Sequence, residues 1–347
     1  MTKHELHELP RLLLPWFAAH KRDLPWRQDR EPYHVWLSEI MLQQTRVEAV
    51  KGYYSRFLQA LPTIAALAKA PEDVLLKLWE GLGYYSRVRN LQKAARVILE
   101  THGGIFPRDY TAIRALPGIG AYTAGAISSI CFELPKAAVD GNVLRVLSRF
   151  EADAADISLE RTKRLAAERL EEIYPSGSCG DFTQALMELG ATVCLPNGAP
   201  LCSECPLNGL CKANTLGKQL DFPVKAAKKA RREEDRTVLI LLLGDKVALC
   251  KRPERGLLAG LWQLPDTEGK LESQQALDLA GEWGVRPTQL LQMQEKTHIF
   301  THITWKLRGY YLRCAAQGEL CWFDRSDLTQ RIGLPTAYRQ FLDTIQF

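Results

Sequence analysis

The sequence predicts a multidomain protein: an all-α region of about 215 residues that ends in a cysteine-rich loop, followed by a smaller α+β domain. Three observations carry this. Apolar positions recur at helical spacing through the first part, where alternating β-branched runs are nearly absent. Cys194, Cys202, Cys205 and Cys211 stand at C-x7-C-x2-C-x5-C spacing in VCLPNGAPLCSECPLNGLC. Beyond a polar, charged stretch, short strand-like runs take over.

The helical reading rests on VWLSEIMLQQTRVEAVKGYYSRFL, APEDVLLKLWEGLG, YSRVRNLQKAARVILETHG and RTKRLAAERLEEIY. Breaks fall at Pro62, Pro71, Gly81–Gly83, Gly103–Gly104, Pro107 and Pro175–Gly177. GKQLDFPVKAAKKARREEDR is almost free of large apolar residues and reads as an exposed linker. After it, TVLILLLG, KVALCKR and IFTHITWKLRGYYLRC read as strands, with ESQQALDLAGEWG as a helix between them.

Length and composition set the bounds. A chain of 347 residues suggests two or three domains, and 46% hydrophobic with 24% charged residues can bury ordinary cores. No apolar run reaches the roughly 20 residues of a membrane span. LLLPWFAA is short, carries Pro15 and runs into HKRD, so it reads as a helix start rather than a signal peptide. A soluble, cytoplasmic protein and no membrane partner are expected. Cys131, Cys179, Cys250, Cys314 and Cys321 are scattered, as reduced thiols in a cytosol would be. A net charge of +5 permits a polyanionic partner without demanding one.

Three stretches carry chemistry. Four thiolates within one loop can wrap one metal centre, a [4Fe–4S] cluster or a tetrahedral zinc. In ALPGIGAYTAGAI a short helix ends at Leu116, Pro117–Gly120 makes a tight turn, and a helix opens at Ala121. Gly118 and Gly120 let the backbone turn sharply and approach a ligand, and the amides of the second helix favour a phosphate. The stretch resembles a helix-hairpin-helix, a motif that grips a DNA backbone without reading sequence. In AVDGNVLRVLSRF, Asp140 precedes another helix and suits an N-cap. A carboxylate accepting backbone N–H bonds should stay ionised, as a carbocation-stabilising group must be.

Together the hairpin, the aspartate and the four cysteines resemble the helix-hairpin-helix DNA glycosylases of the endonuclease III superfamily. The resemblance implies that the cysteines hold a [4Fe–4S] cluster, although the first gap is seven residues rather than the usual six. PWRQDREPYHVWLSEIMLQQTRVEAV narrows it to the MutY-type adenine glycosylases, whose motif around the catalytic glutamate matches SEIMLQQT and puts that role on Glu39. On a helix Glu39 and Gln43 share a face. A carboxyl among Leu42, Trp36 and Trp26 should be desolvated, with its pKa raised towards that of a proton donor near neutrality. Tyr122 occupies the hairpin slot where bifunctional relatives have a lysine, and tyrosine cannot form a Schiff base, so a monofunctional enzyme is implied. Leu144 likewise offers no amine. Tyr84 matches a wedge tyrosine inserted beside the lesion and Gln44 the glutamine that fills the emptied stack. Gln184 matches a residue contacting the flipped adenine, and Arg27 and Asn142 are carried over as site-lining.

The C-terminal part resembles the Nudix-like domain of the same branch. GLLAGLWQLPDTEGKLESQQALDLAGEWG lacks the R-E-x-x-E-E run that holds magnesium, and Glu272 and Glu282 stand isolated, so pyrophosphate hydrolysis looks lost. Phe300, Thr301 and His302 match the F-S-H loop that senses 8-oxoguanine, with threonine keeping the hydroxyl.

The expected organisation is an all-α catalytic region over 1–216 with a six-helix barrel module at about 30–138, its hairpin at 111–127, and an iron–sulfur module from 1–29 and 139–216. A linker at 217–234 and a Nudix-like 8-oxoguanine recognition domain at 235–347 follow. The expected function is removal of adenine mispaired with 8-oxoguanine or guanine in double-stranded DNA during base excision repair, by a monomer. The alternatives are a related mismatch glycosylase that takes thymine from G·T, and a non-catalytic lesion-binding protein.

Overall fold

A computed structural model describes residues 4–226 and 230–343. The chain divides into two compact units, one from Met1–Lys69 with Asn90–Ala227, the other from Ala70–Arg89 with Lys228–Phe347. The segment Ala70–Arg89 therefore leaves its sequence neighbours and joins the C-terminal unit. No helix among the described residues is long and apolar enough to cross a membrane.

The first unit has helices and no strand among its described residues. The helix His4–His20 starts earlier than LLLPWFAA suggested. Its Leu9, Leu13 and Phe17 recur every four residues and form one stripe. That stripe packs on Val143, Val146 and Phe150 of the helix Gly141–Glu151 and on Phe182, Leu186 and Leu189 of the helix Cys179–Thr192. The helix Pro32–Leu42 begins with proline at its first position, where the missing N–H costs nothing. Eight of its 11 residues are buried, because VWLSEIML is apolar nearly all round. The expected continuous helix through Gln43 does not form. It stops at Leu42, Gln44 takes a φ of 58°, and a new helix runs Val47–Ala60. Gln43 and Gln44 thus stand in a turn rather than on a helix face.

The second unit is a sheet with helices. Its strands are β1 (Arg232–Leu243), β2 (Lys246–Lys251), β3 (Trp262–Gln263), β4 (Asp266–Glu268), β5 (Pro287–Ile299), β6 (Ile303–Cys314) and β7 (Cys321–Phe323). The main order is β3-β2-β1-β6-β5, with β4 on β1 and β7 on β2. β1 runs parallel to β6, pairing Val238 with Gly309, and β5 and β6 form an antiparallel hairpin. Val238 and Ile240 lie in one apolar cluster with Trp305, Tyr311 and Phe341; Leu239 and Leu241 lie in another with Ala276, Ala280 and Tyr310. Both faces of β1 are covered, which explains why VLILLL is a continuous apolar run rather than an alternating one. Glycine is required at Gly309, where a Cβ would stand 2.4 Å from the Phe341 ring.

The stretch read as an exposed linker is partly tied down. Arg149 Nε donates to the carbonyls of Gln219 and Phe222 at 2.9 and 3.0 Å, Ile157 N–H donates to Val224 O at 3.1 Å, and β1 already begins at Arg232. Ala227, Lys228 and Lys229 of that stretch lie outside the described residues.

Candidate active site

The first unit contains a cavity of about 480 Å³ lined by Glu39, Tyr122, Asp140, Asn142, Gln184 and Arg27, with Gln43 and Gln44 at its rim turn. Each comes from a different local device. Glu39 sits in the last turn and a half of a buried helix and is only 7% exposed. Tyr122 is the second residue of the helix Ala121–Phe132 that the hairpin opens. Asp140 is the N-cap of Gly141–Glu151, and its Oδ1 accepts the Val143 N–H at 2.8 Å. Gln184 lies on the helix Cys179–Thr192.

The two carboxyl groups differ in what they face. The Tyr122 hydroxyl donates to Glu39 Oε2 at 2.6 Å. Burial pushes Glu39 up to about 7; the Tyr122 bond opposes this, Asp140 adds to it, and Arg27 lowers it. Asp140 receives Asn142 Nδ2 at 2.8 Å on Oδ2, besides the Val143 amide on Oδ1. These bonds pull its pKa down, yet desolvation outweighs them and moves Asp140 above the ordinary aspartate value. Burial also carries the Tyr122 hydroxyl well above its usual range, so it remains a donor. The arrangement is a protonatable carboxyl and an N–H-bonded carboxyl opening into one cavity, a pair suited to acid-assisted cleavage with cation stabilisation.

Three residues that the motif reading overlooked, Glu188, Arg22 and Arg145, brace side chains that line the cavity. Glu188 is 1% exposed and accepts Arg22 Nε at 2.7 Å and Nη2 at 2.9 Å, and Arg27 Nη2 at 2.8 Å. Burial alone would raise it, but these bonds win and bring it down to about 2. Arg27 is therefore a cavity-lining residue engaged with Glu188. A signal existed in the sequence, since Glu188 follows Gln184 by one helical turn. Arg145, also buried, donates Nη2 to Asn142 Oδ1 at 2.9 Å and to Gly190 O at 2.7 Å, and Nε to Cys194 O at 2.8 Å. It joins the Asp140 cap to the start of the cysteine loop. Gly190 permits the approach, as a Cβ there would meet Asn142 Cβ at 2.6 Å.

Cys194, Cys202, Cys205 and Cys211 are all free thiols and line one apolar pocket with Val146, Phe150 and Leu207. Among the described residues, no three metal-ligating side chains converge on a position for a single ion. Four thiols lining one pocket are a donor set that suits a metal centre. Within the first gap the loop is closed where Leu201 N–H donates to Val193 O at 2.9 Å.

The hairpin runs from the helix Tyr110–Ala115 through Gly118 to Ala121. Only Gly118 is required by its own conformation: φ is 75°, and a Cβ would stand 2.6 Å from Asn90 Cβ. Gly120 is extended, with nothing near its missing Cβ, so its use is the open approach it leaves to the backbone. Neither glycine lines the cavity.

Tyr84, Phe300, Thr301 and His302 belong to the second unit. The Tyr84 hydroxyl is hydrogen-bonded to Thr301 Oγ1, and its side chain is half-exposed. Phe300 packs edge-on against Trp305 and His298, with Phe300 N–H donating to Ile303 O at 2.8 Å, while Thr301 and His302 are exposed. Glu272 caps the helix Ser273–Glu282 and pairs with Arg308 at 2.8 Å.

Residues 37–174 match the HhH-GPD superfamily of base excision DNA repair proteins, and residues 237–344 match the NUDIX domain. The human adenine DNA glycosylase is 38% identical over 88% of this chain and 67% of that protein. The mouse adenine DNA glycosylase is 40% identical over 86% of this chain and 69% of that protein. The adenine DNA glycosylase of Buchnera aphidicola subsp. Baizongia pistaciae is 33% identical over 96% and 95%. Among solved structures, a thermostable thymine-DNA glycosylase superposes with a TM-score of 0.56 at 30% identity, covering 61% of this chain and 98% of that one. Endonuclease III in a non-covalent DNA complex gives 0.54 at 24% identity over 62% and 98%, a likeness of fold.

Proposed function

This chain belongs to the adenine DNA glycosylase family, and on that premise we propose that it removes adenine mispaired with 8-oxoguanine or guanine in double-stranded DNA, without cutting the strand. The observation that carries the reading is Glu39: a buried carboxyl with its pKa near 7, hydrogen-bonded to Tyr122 in a cavity that also holds Asp140.

The chemistry follows from these two groups. Adenine flips out of the duplex into the cavity, where Gln184 meets its edge. Glu39 gives its proton to adenine N7, so the C1′–N bond breaks with its electron pair leaving on a neutral base. The sugar becomes an oxocarbenium ion, and the Asp140 carboxylate stabilises that charge. Glu39, now ionised, takes a proton from water as the water adds to C1′, which restores the acid and leaves an abasic site. Tyr122 orients Glu39 and supplies no amine, so no imine forms and β-elimination is not promoted.

Cys194, Cys202, Cys205 and Cys211 are the residues that would hold a [4Fe–4S] cluster, which would brace the cysteine loop. Gly118 and Gly120 present backbone amides to a phosphate. Tyr84 is the wedge inserted beside the lesion, Gln44 the residue that fills the emptied stack, and Phe300, Thr301 and His302 the turn that senses 8-oxoguanine.

The likeness to a thymine-DNA glycosylase favours one other reading, base removal from G·T. A single-turnover assay on A·8-oxoG, A·G, G·T and undamaged duplexes separates the two. Adenine release fastest from A·8-oxoG supports the proposal. Thymine release from G·T without adenine release overturns it, and binding without release of any base would mark a lesion-binding protein.

A further inference from the structure

Ala70–Arg89 carries Tyr84 and forms one compact unit with the C-terminal domain. The join is polar and dense. Glu80 Oε1 accepts the Leu334 N–H at 3.0 Å and Arg339 Nη1 at 3.1 Å, and Glu80 Oε2 accepts Lys77 Nζ at 2.7 Å. Lys77 Nζ also donates to Leu328 O at 3.0 Å and Ile332 O at 3.1 Å, and Arg339 Nη1 to Leu328 O at 3.1 Å. Backbones meet as well: a Cβ on Gly333 would stand 3.0 Å from Leu76 O. A second tie is Arg89, whose Nη1 donates to Ala259 O at 2.7 Å.

What this seat holds is a strained turn. Tyr84 has a φ of 47°, an unfavourable conformation for a residue with a bulky side chain. Buried Arg87 donates to Leu82 O at 2.9 Å and Gly83 O at 3.1 Å, and its guanidinium lies 5.6 Å from the Tyr84 ring and 5.3 Å from the Trp79 ring. Trp79 Nε1 donates to Gly83 O at 3.1 Å. The helix Glu72–Leu78, the ion pairs and the Arg87 stack together lead from the C-terminal helix Thr336–Leu342 to the tyrosine.

We propose that Lys77, Glu80 and Arg339 are positioning residues that seat the Tyr84 turn on the C-terminal domain, so this domain sets 8-oxoguanine preference partly by placing Tyr84. This rests on the reading of Tyr84 as the lesion wedge. Preference then depends on two inputs from one domain, the Phe300–His302 turn and the seat of the wedge.

The experiment compares full-length wild type with Glu80→Gln, Arg339→Ala, Arg339→Lys and Tyr84→Ala. Single-turnover adenine release is read on A·8-oxoG and A·G, and amide hydrogen exchange is followed across 81–87 and across 35–42. Glu80→Gln and Arg339→Ala should lower the A·8-oxoG preference about five- to tenfold, at the low end of typical coupling between sites. They should leave the A·G rate and exchange across 35–42 unchanged and speed exchange across 81–87. Arg339→Lys should restore most of the preference. Glu80→Gln placed on Tyr84→Ala should add nothing, because both act through one side chain. Unchanged preference in Glu80→Gln and Arg339→Ala, while Tyr84→Ala loses it, overturns the proposal. Unchanged preference in Tyr84→Ala itself overturns the wedge reading. Equal loss on both substrates with faster exchange everywhere would show a general fold defect and also overturn it.

Discussion

Glu39 shows how far one side chain's behaviour depends on its surroundings. Glu39→Gln keeps the size and the acceptor for Tyr122 but has no proton to give. Adenine release should fall by at least about 10²–10⁴-fold in single turnover, with DNA binding retained. A rate above about a tenth of wild type would remove Glu39 from the acid role. The same group predicts a pH dependence of stability. Its folded pKa, about 7, lies above the ordinary glutamate value of about 4.5, so its stabilising contribution is complete below about 4.5 and is lost as pH rises through 7. Relative to wild type, Glu39→Gln should therefore gain stability between pH 5 and pH 8, on the order of 3 kcal/mol at most, in paired denaturant titrations. The wild-type rate should fall above pH 7 as Glu39 ionises, and on the acid side as Asp140 takes up a proton at a pH above the ordinary aspartate range. Tyr122→Lys addresses reaction type. An amine at this cavity position should form a borohydride-trappable imine and nick the strand, increasingly as pH rises and the lysine deprotonates. Wild type should leave an intact strand until alkali is added. Strong trapping by purified wild type would end the monofunctional reading.

Elements differ in how much of their geometry their own residues dictate. The hairpin's two glycines look alike in sequence and are not alike in the fold. Gly118→Ala forces a Cβ into Asn90 at a φ of 75° and should destabilise by about 1–3 kcal/mol. Gly120→Ala meets open space and should cost about 1 kcal/mol or less, as an N-cap change, while weakening DNA binding. Equal melting temperatures for the two variants would contradict the steric account. The cysteine loop has a chemical check. Protein purified without air should carry about four irons per chain, and Cys202→Ser should lose iron, soluble yield and DNA binding. Stoichiometric zinc with no iron would replace the cluster assignment.

At the scale of the whole molecule, catalysis and lesion reading are assigned to different compact units. Phe300→Ala with Thr301→Ala removes a partly buried ring packed on Trp305 and the exposed hydroxyl bonded to Tyr84. Adenine release from A·G should persist while preference for A·8-oxoG drops, with a modest fall in melting temperature from the lost packing of Phe300. Truncation after Lys225 should lose the same preference and also lower the melting temperature. It strips the C-terminal contacts of the helix Glu72–Leu78, including the carbonyls of Leu328 and Ile332 that hold Lys77. Unchanged discrimination in both variants would detach this domain from lesion sensing.

Sequence by itself determined the features that are set within a few residues of chain. Helical periodicity marked the first unit, and the covered strands were legible as apolar runs. Asp140 was legible as a cap, and Pro117–Gly120 as a turn, because capping and turn formation need only local neighbours. The motif around Glu39 located the glutamate but misjudged the helix end, since Gln43 and Gln44 read as good helix formers and tertiary packing turns the chain there. The raised pKa of Glu39 was foreseeable from its apolar neighbours in the motif, but the tertiary structure alone decided the upward shift of Asp140, because desolvation depends on what surrounds a carboxyl rather than on what flanks it. It alone joined Glu188 to Arg22 and Arg27, Arg145 to Asn142 and Cys194, and Tyr84 to Thr301. The allegiance of Ala70–Arg89 to the C-terminal domain belongs to the same class. Its contacts close over some 250 residues of chain, as between Lys77 and Leu328, and no local pattern records such a distance.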